Sequence, residues 1–280
     1  MPDEATKFTF APVSERLLNM ELTIFYAWQN DTPKQVNRYL IREMLNIVSK
    51  SIRNDASVED SPRLDHDTLG VSGTPEITST IFSKIKRCAV FVADVTFVGA
   101  SLSTTASREG KRLPNPNVML ELGFASATVG WERIIVVMNE HYGPAEQQIF
   151  DIKSRRFPIR YTLDPDTPTG LDETKRRLRI SVDQAIRLAL RSQYEAVEDI
   201  IASLDGESLR LLRAHASHKL FGRSEEGTVW AHAAADAAYR HLLALGLIRA
   251  TWQPEHQDFP YEWTYLGLQT LTRLGLRSQP

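Results

Sequence analysis

The sequence predicts an α/β protein with a parallel β-sheet covered by helices on both faces, followed by a smaller α+β region. As far as about residue 165, short runs rich in Val and Ile alternate with helical patterns. These runs are apolar throughout, which is typical of parallel strands buried on both faces. Beyond that point the pattern changes to helices followed by two strand-like runs. A chain of 280 residues is long enough for one large domain or two smaller ones.

The first region consists of alternating strand and helix patterns. Apolar and β-branched runs predict four strands, at 21–28, 88–96, 133–140 and 155–163, the last at a sheet edge because it contains Pro158. Apolar residues at helical spacing predict three helices, at 33–54, 74–88 and 116–129. The stretch 97–114 is rich in Ser, Thr, Arg and Gly and is predicted to be a loop.

Composition and missing motifs exclude several classes of protein. A formal charge of −2 gives no general attraction to nucleic acid or to anionic membranes. No apolar run is long enough to span a membrane, and the N-terminus lacks the basic start and apolar middle of a signal peptide. The single cysteine, Cys88, is expected to be buried and fits a reducing compartment. No glycine-rich phosphate motif follows a strand. We therefore expect a cytoplasmic protein without a dinucleotide fingerprint or P-loop.

Glu121 is the residue that the pattern does not explain. It lies early in the predicted 116–129 helix, between Leu120 and Leu122. Asn117 is the predicted N-cap and, four residues earlier, shares a helix face with Glu121. That face is directed towards the carboxyl edge of the sheet, where Asp94 ends a strand and where sites form in parallel sheets. The pattern leaves open whether Glu121 pairs with the helix N-terminus or an arginine, or has a functional role.

Three segments carry a resemblance to a known family. The run 64–96, followed by "NPNVMLELGFA" (115–125), resembles bacterial TIR-like proteins, and "ELTIFYAWQND" (21–31) resembles the first box of TIR domains. The similarity covers about residues 20–165. It implies a flavodoxin-like parallel sheet. It also implies that Glu121 matches the essential glutamate with which enzymatic TIR domains cleave NAD at the nicotinamide–ribose bond.

The resemblance gives a reaction and a set of site residues. Cleavage of this N-glycosidic bond builds positive charge at the ribose carbon, which a carboxylate such as Glu121 can stabilise or attack. Tyr26 and Trp28 are the candidates to stack on nicotinamide, and Asp94 and Asn117 are further candidates for substrate contacts. We expect an NAD nucleosidase with NAD as substrate, no other cofactor and no metal. The implied role is antiphage defence in bacteria, with activation by assembly or a ligand.

Two other functions stay open. The "ELGFA" segment also resembles nucleoside deoxyribosyltransferase-like proteins, which use a helix glutamate against a nucleoside's anomeric carbon. A nucleoside or nucleotide N-glycosidase is therefore the second enzyme hypothesis. The third is a non-enzymatic module that senses a nucleotide or assembles. In TIR-like proteins a loop from a neighbouring subunit often completes the site, and the polar 64–75 loop is the candidate here. A homo-oligomer is therefore expected.

The tail has the outline of a winged helix, with two helical stretches followed by a predicted hairpin. We divide the chain into an N-terminal extension (1–19), the TIR-like domain (20–165), a connecting helix (166–195) and a winged-helix-like domain (196–280). From Glu195 onward the chain has eight Lys and Arg against eleven Asp and Glu. Binding to phosphates requires a basic face, so we expect a protein partner rather than DNA.

Overall fold

The computed structural model describes most of the chain, in nine segments: 23–54, 63–65, 77–102, 110–149, 152, 158–216, 220–221, 233–250 and 261–276. These residues belong to two compact units, one spanning Glu21–Glu198 and the other beginning at Asp199. The predicted N-terminal extension (1–19) and most of the predicted 64–75 loop lie outside the described residues.

The first unit is built on a parallel sheet. Its described strands are β1 (Thr23–Ala27), β2 (Arg63–Asp65), β3 (Val90–Asp94), β4 (Phe97–Ala100), β5 (Arg112–Pro114), β6 (Ile134–Asn139) and β7 (Ile159–Tyr161). Five of them form one sheet in the order β2-β1-β3-β6-β7, and all four pairings are parallel. Counted along the chain this is the order 2-1-3-4-5, which is compatible with a flavodoxin-like sheet. The predicted parallel sheet and the edge position of the 155–163 strand are confirmed.

Four helices accompany these strands, and the sequence predicted each of them with different ends. They are α1 (Arg38–Arg53), α2 (Ile77–Arg87), α3 (Pro116–Thr128) and α4 (Leu171–Ser203). The connection from β1 to β2 runs one way along the sheet, whereas those from β2 to β3 and from β3 to β6 run the other way. Because such crossovers are right-handed, α1 covers one face of the sheet, and α2 and α3 cover the other.

The strands are buried because their side chains fill the space beneath both helical layers. Every residue of β3 and β6 is buried. Phe25 and Phe91 stack with ring centroids 5.8 Å apart in the core beneath α2 and α3, to which α3 contributes Val118 and Leu122. Cys88 lies in the same core, as expected, and its burial raises the pKa of its thiol to about 12.

The 97–114 stretch is not simply a loop, and that prediction is wrong in part. β4 and β5 form an antiparallel hairpin, with a register shift between Phe97 and Gly99. Phe97 is buried in the core beneath α2 and α3, so the base of the hairpin is fixed by packing although its sequence is mostly polar. The hairpin connects β3 to α3 along the chain, so its second strand, β5, leads directly into the N-terminus of α3.

The second unit combines helices with a small antiparallel sheet. Its described elements beyond α4 are α5 (Gly206–His215), β8 (Leu220–Phe221), α6 (Ala233–Ala244), β9 (Ile248–Ala250), β10 (Tyr261–Trp263) and α7 (Tyr265–Arg273). The strands pair in the order β8-β10-β9. The two predicted helices and the β9–β10 hairpin are present, but the final stretch, predicted as a strand, is the helix α7. Thr264 begins this helix by accepting a hydrogen bond from the Gly267 N–H through its hydroxyl.

The described helices lack the features of a membrane span. None of them combines the length and the apolar composition that crossing a bilayer requires.

Candidate functional site

The candidate site lies at the carboxyl edge of the sheet, around the boundary between β1 and β3. The chain leaves β1 in one direction along the sheet and returns across it to β3, so this boundary is a topological switch point. Ligand crevices of open parallel sheets form at such points. The segment after β1 begins with Trp28 and Gln29, and β3 ends at Asp94.

A buried polar cluster, which we call the polar hub, ties these strand ends together. It consists of Gln29, Asn37, Asp94, Thr96 and Asn139, all of them buried. The Gln29 and Asn37 amides reach one carboxylate oxygen of Asp94 at 3.3 and 3.5 Å, and the Thr96 N–H donates to the other oxygen at 3.1 Å. The Thr96 hydroxyl accepts from the Asn37 amide at 2.9 Å and from the Asn139 N–H at 3.0 Å. Three strands and the start of α1 are therefore linked beneath the crevice.

Asp94 is the centre of the hub and is completely enclosed. Burial raises the pKa of its carboxyl, and the hydrogen bonds from Thr96, Asn37 and Gln29 partly oppose that effect. The structure thus gives Asp94 a supporting position beneath the site. Its predicted contact with substrate stays a prediction.

The segment of residues 28–32, which we call the Trp28 loop, sits above the hub. Gln29 holds it from below, because its side-chain oxygen accepts from the N–H groups of Asp31 and Thr32 at 2.5 and 3.1 Å. Trp28 is half-buried, and the guanidinium carbon of Arg38 lies 3.2 Å from the centroid of its ring system. A cation therefore already rests against one face of the indole.

Tyr26 does not share the exposure of Trp28. Its side chain is 1% exposed, and burial raises the pKa of its phenol well above the ordinary value. The ring has no free face for a ligand in this structure. Of the two aromatic residues that the sequence suggested for stacking, only Trp28 is partly exposed to solvent.

The start of α3 differs from the prediction, since Asn115 is the N-cap and Asn117 is not. The Asn115 side-chain oxygen accepts from the N–H groups of Asn117 and Val118 at 2.9 and 3.2 Å. Pro116 occupies the first helical position, where its missing N–H costs nothing. Asn117 is exposed in the first turn, as a residue that contacts substrate would be. The Asn115 amide also donates to Asp31 at 2.6 Å, which joins α3 to the Trp28 loop.

Glu121 flanks the buried face of α3. Val118, Leu122 and Ala125 form the predicted buried stripe, and Glu121 lies beside it at the helical position one turn before Phe124. The ring of Phe124 stacks on Phe82 of α2, with centroids 4.1 Å apart. Glu121 is therefore on the side of α3 that faces α2. It lies one helical turn closer than Phe124 to the carboxyl edge of the sheet.

The Glu121 carboxylate is half-buried, and it has no hydrogen-bond or ion-pair partner among the described residues. Burial alone raises its pKa from 4.5 to about 7. A pairing with an arginine or with the helix N-terminus would lower the pKa instead. The pairing of Glu121 with an arginine or with the helix N-terminus, which the sequence left open, is thus not observed among the described residues.

The chain has no match among models of known protein families or among curated proteins. The residues in the described segments also contain no group of three or more His, Cys, Asp or Glu side chains that could hold a metal ion. The side chains at the carboxyl edge are therefore the features of this protein that point to a function.

Sequence reasoning located this edge, including the residues from Asp94 to Thr96, but missed Asn37 and the capping role of Asn115. Asn37 lies in a segment that was assigned to a helix, and the structure puts it in the turn before α1, where its amide enters the hub. Thr96 follows β3, where the sequence reasoning expected site residues, and the structure adds its bonds to two different strands. Asn115 had a recognisable signal in Pro116, because proline favours the first position of a helix and so places the cap one residue earlier.

Proposed function

We propose that this protein cleaves NAD at the bond between nicotinamide and ribose, with Glu121 as the catalytic carboxylate. The observation that carries the proposal is the state of Glu121, a half-buried carboxylate near the N-terminus of α3 with no partner among the described residues. A carboxylate that has lost part of its hydration and gained no counter-charge stabilises any cation that is brought next to it.

The reaction supplies such a cation at each stage. Nicotinamide is positively charged while it is attached to NAD, and the charge moves to the ribose carbon as the bond lengthens. Glu121 would stabilise that developing charge, or attack the carbon to form a glycosyl intermediate that water then hydrolyses. Nicotinamide leaves as a neutral base, so the chemistry does not need a general acid. One well-placed carboxylate is sufficient for this bond.

Trp28 is the residue that we propose for holding the nicotinamide ring. The Arg38 guanidinium occupies one face of its ring, 3.2 Å from the centroid, so we propose that nicotinamide stacks on the opposite face of this half-buried indole. Asn117, exposed in the first turn of α3, is proposed to contact the ribose or phosphates. Asp94 is proposed to act from below through the hub, with no contact to substrate required.

An incubation of the purified protein with NAD and with a panel of nucleosides tests this function. Chromatography of the products is expected to show free nicotinamide from NAD, and the Glu121→Gln variant is expected to release none. Release of a free purine or pyrimidine from nucleosides, with NAD untouched, would support the deoxyribosyltransferase-like alternative. No turnover of any substrate at high protein concentration would support the non-enzymatic sensing or assembly module.

The resemblance to TIR-like proteins extends the proposal to the fold family and the biological role. The five-stranded sheet in flavodoxin-like order is compatible with a TIR-like domain, and we propose that assignment for the first unit. We propose a winged-helix-like, partner-binding role for the second unit, and antiphage defence as the biological function. Assembly into a homo-oligomer is proposed to complete the site. Its test is the dependence of specific activity on protein concentration.

A further inference from the structure

The hydrogen bond between Asn115 and Asp31 connects the two parts of the proposed site. The Trp28 loop follows β1, whereas Glu121 belongs to a helix that follows β3 and the β4–β5 hairpin. Within the described residues, the Asn115 amide at 2.6 Å from the Asp31 carboxylate is the hydrogen bond that joins them. Other hydrogen bonds of the loop lie within it, from the N–H groups of Asp31 and Thr32 to Gln29, or join it to α1, where Arg38 donates to Asn30 at 3.0 Å.

Asn115 performs two tasks with two different atoms. Its side-chain oxygen caps α3 by accepting from the N–H groups of Asn117 and Val118. Its side-chain nitrogen donates to Asp31. Serine and aspartate cap helices about as well as asparagine does, but neither of them offers a side-chain amide donor alongside the capping oxygen. Asparagine therefore supplies at this position both a good cap and an amide donor for Asp31.

We infer that Asn115 is a positioning residue, which sets the distance between the Trp28 ring and the Glu121 carboxylate through its bond to Asp31. This inference rests on the proposed function, because it assigns those two side chains to the same substrate. A displacement of about 1 Å in such a site can cost about 10²-fold in rate. The exposed ends of a loop and a helix do not keep that precision without a direct link.

Asn115→Asp separates the two tasks. An aspartate caps α3 as well as asparagine does, so the helix and Glu121 stay in place. Its carboxylate, however, faces the carboxylate of Asp31 where a 2.6 Å hydrogen bond stood, and the two charges repel each other. We expect KM for NAD to rise at least about tenfold and kcat to fall less, because the ring-binding loop moves while Glu121 does not.

The reciprocal change is expected to restore the link. In the double variant Asn115→Asp with Asp31→Asn, the amide and the carboxylate exchange places, and residue 31 now donates to residue 115. KM is expected to return to within about threefold of the wild type. Gln147→Glu is the matched control, since it adds the same single charge at an exposed position. Gln147 lies in the 3₁₀ turn Ala145–Gln147, after β6. A similar KM increase in that control would mean that general repulsion of NAD is responsible, and would overturn the inference.

Thermal unfolding of the same proteins tests the Asn115–Asp31 bond without relying on the proposed activity. The Asn115→Asp variant is expected to melt below the wild type, and the double variant is expected to recover. An unchanged KM in Asn115→Asp, or a double variant that recovers neither KM nor melting temperature, would overturn the inference. If the wild type releases no nicotinamide, the proposed function and the positioning role both fail, and the melting temperatures show whether the bond itself exists.

Discussion

Replacing Glu121 with glutamine should remove activity and make the protein more stable at the same time. Glutamine has nearly the size of glutamate and resembles the protonated carboxyl group in polarity. The carboxylate is half-buried without a partner among the described residues, so keeping it ionised costs free energy in the folded protein. The substitution removes that cost together with the charge that the proposed reaction needs.

The size and direction of the stability change follow from the pKa of Glu121. Its rise from 4.5 to about 7 corresponds to about 3 kcal/mol, at about 1.4 kcal/mol per pKa unit. Because the folded protein binds this proton more tightly than the unfolded chain, stability falls as pH rises from about 4.5 to about 7. At pH 8 the Gln variant should therefore melt about 5–10 °C above the wild type. At pH 5 most of that difference should be absent.

Thermal unfolding at pH 5 and pH 8, for wild type and Glu121→Gln, measures this difference. Glu132→Gln is the matched control, because Glu132 is exposed in the turn before β6 and its loss should change neither curve. In parallel, kcat/KM of the wild type should rise through pH 7 as Glu121 ionises, and the Gln variant should lose at least about 10²-fold in rate. A Gln variant that is equally destabilised at both pH values, or that keeps activity within a few-fold, would refute the reasoning.

Three further outcomes are expected. Trp28→Ala should raise KM for NAD more than it lowers kcat, since it removes the proposed stacking surface; an unchanged KM with a lower melting temperature would mean that the ring only packs. Asp94→Ala should destabilise the protein by about 3 kcal/mol or more, because the amides of Gln29 and Asn37 lose a buried acceptor; denaturant unfolding that shows less than about 1 kcal/mol would contradict this. Specific activity should rise with protein concentration, and truncation after residue 195 should alter that dependence; strict proportionality over a hundredfold range in both proteins would mean that one subunit holds a complete site.

The sheet was predictable because its strands are buried on both faces. A short run of apolar and β-branched residues such as "IIVVMN" in β6 is typical of a strand buried on both faces. All six of its residues are buried. The short strand β2 and the β4–β5 hairpin were not predicted, since β2 and β5 have three residues each and the four residues of β4 are followed by a Ser- and Thr-rich stretch. Their pairing depends on tertiary contacts, such as the burial of Phe97.

The candidate site was predictable in place but not in detail. Parallel strands bring their carboxyl ends to one edge, and that rule alone pointed to the residues after Ala27 and at Asp94. Which of these side chains face the crevice depends on the pleat of each strand and on hydrogen bonds between distant segments. The bond from Asn115 to Asp31 joins residues 84 positions apart, and no local pattern indicates it.

The polar hub also determines where the first unit can open. The N–H groups of Thr96, Asn139 and Leu163 donate to side-chain oxygens at 3.0–3.1 Å, and all three acceptors are buried. For any of these amides to exchange its proton with water, the loops at the strand ends must separate, which breaks hydrogen bonds that the hub shares among several of its members. Local unfolding should therefore not extend to the ends of the strands. The exposed loop residues above the hub can move while the hub itself stays in place.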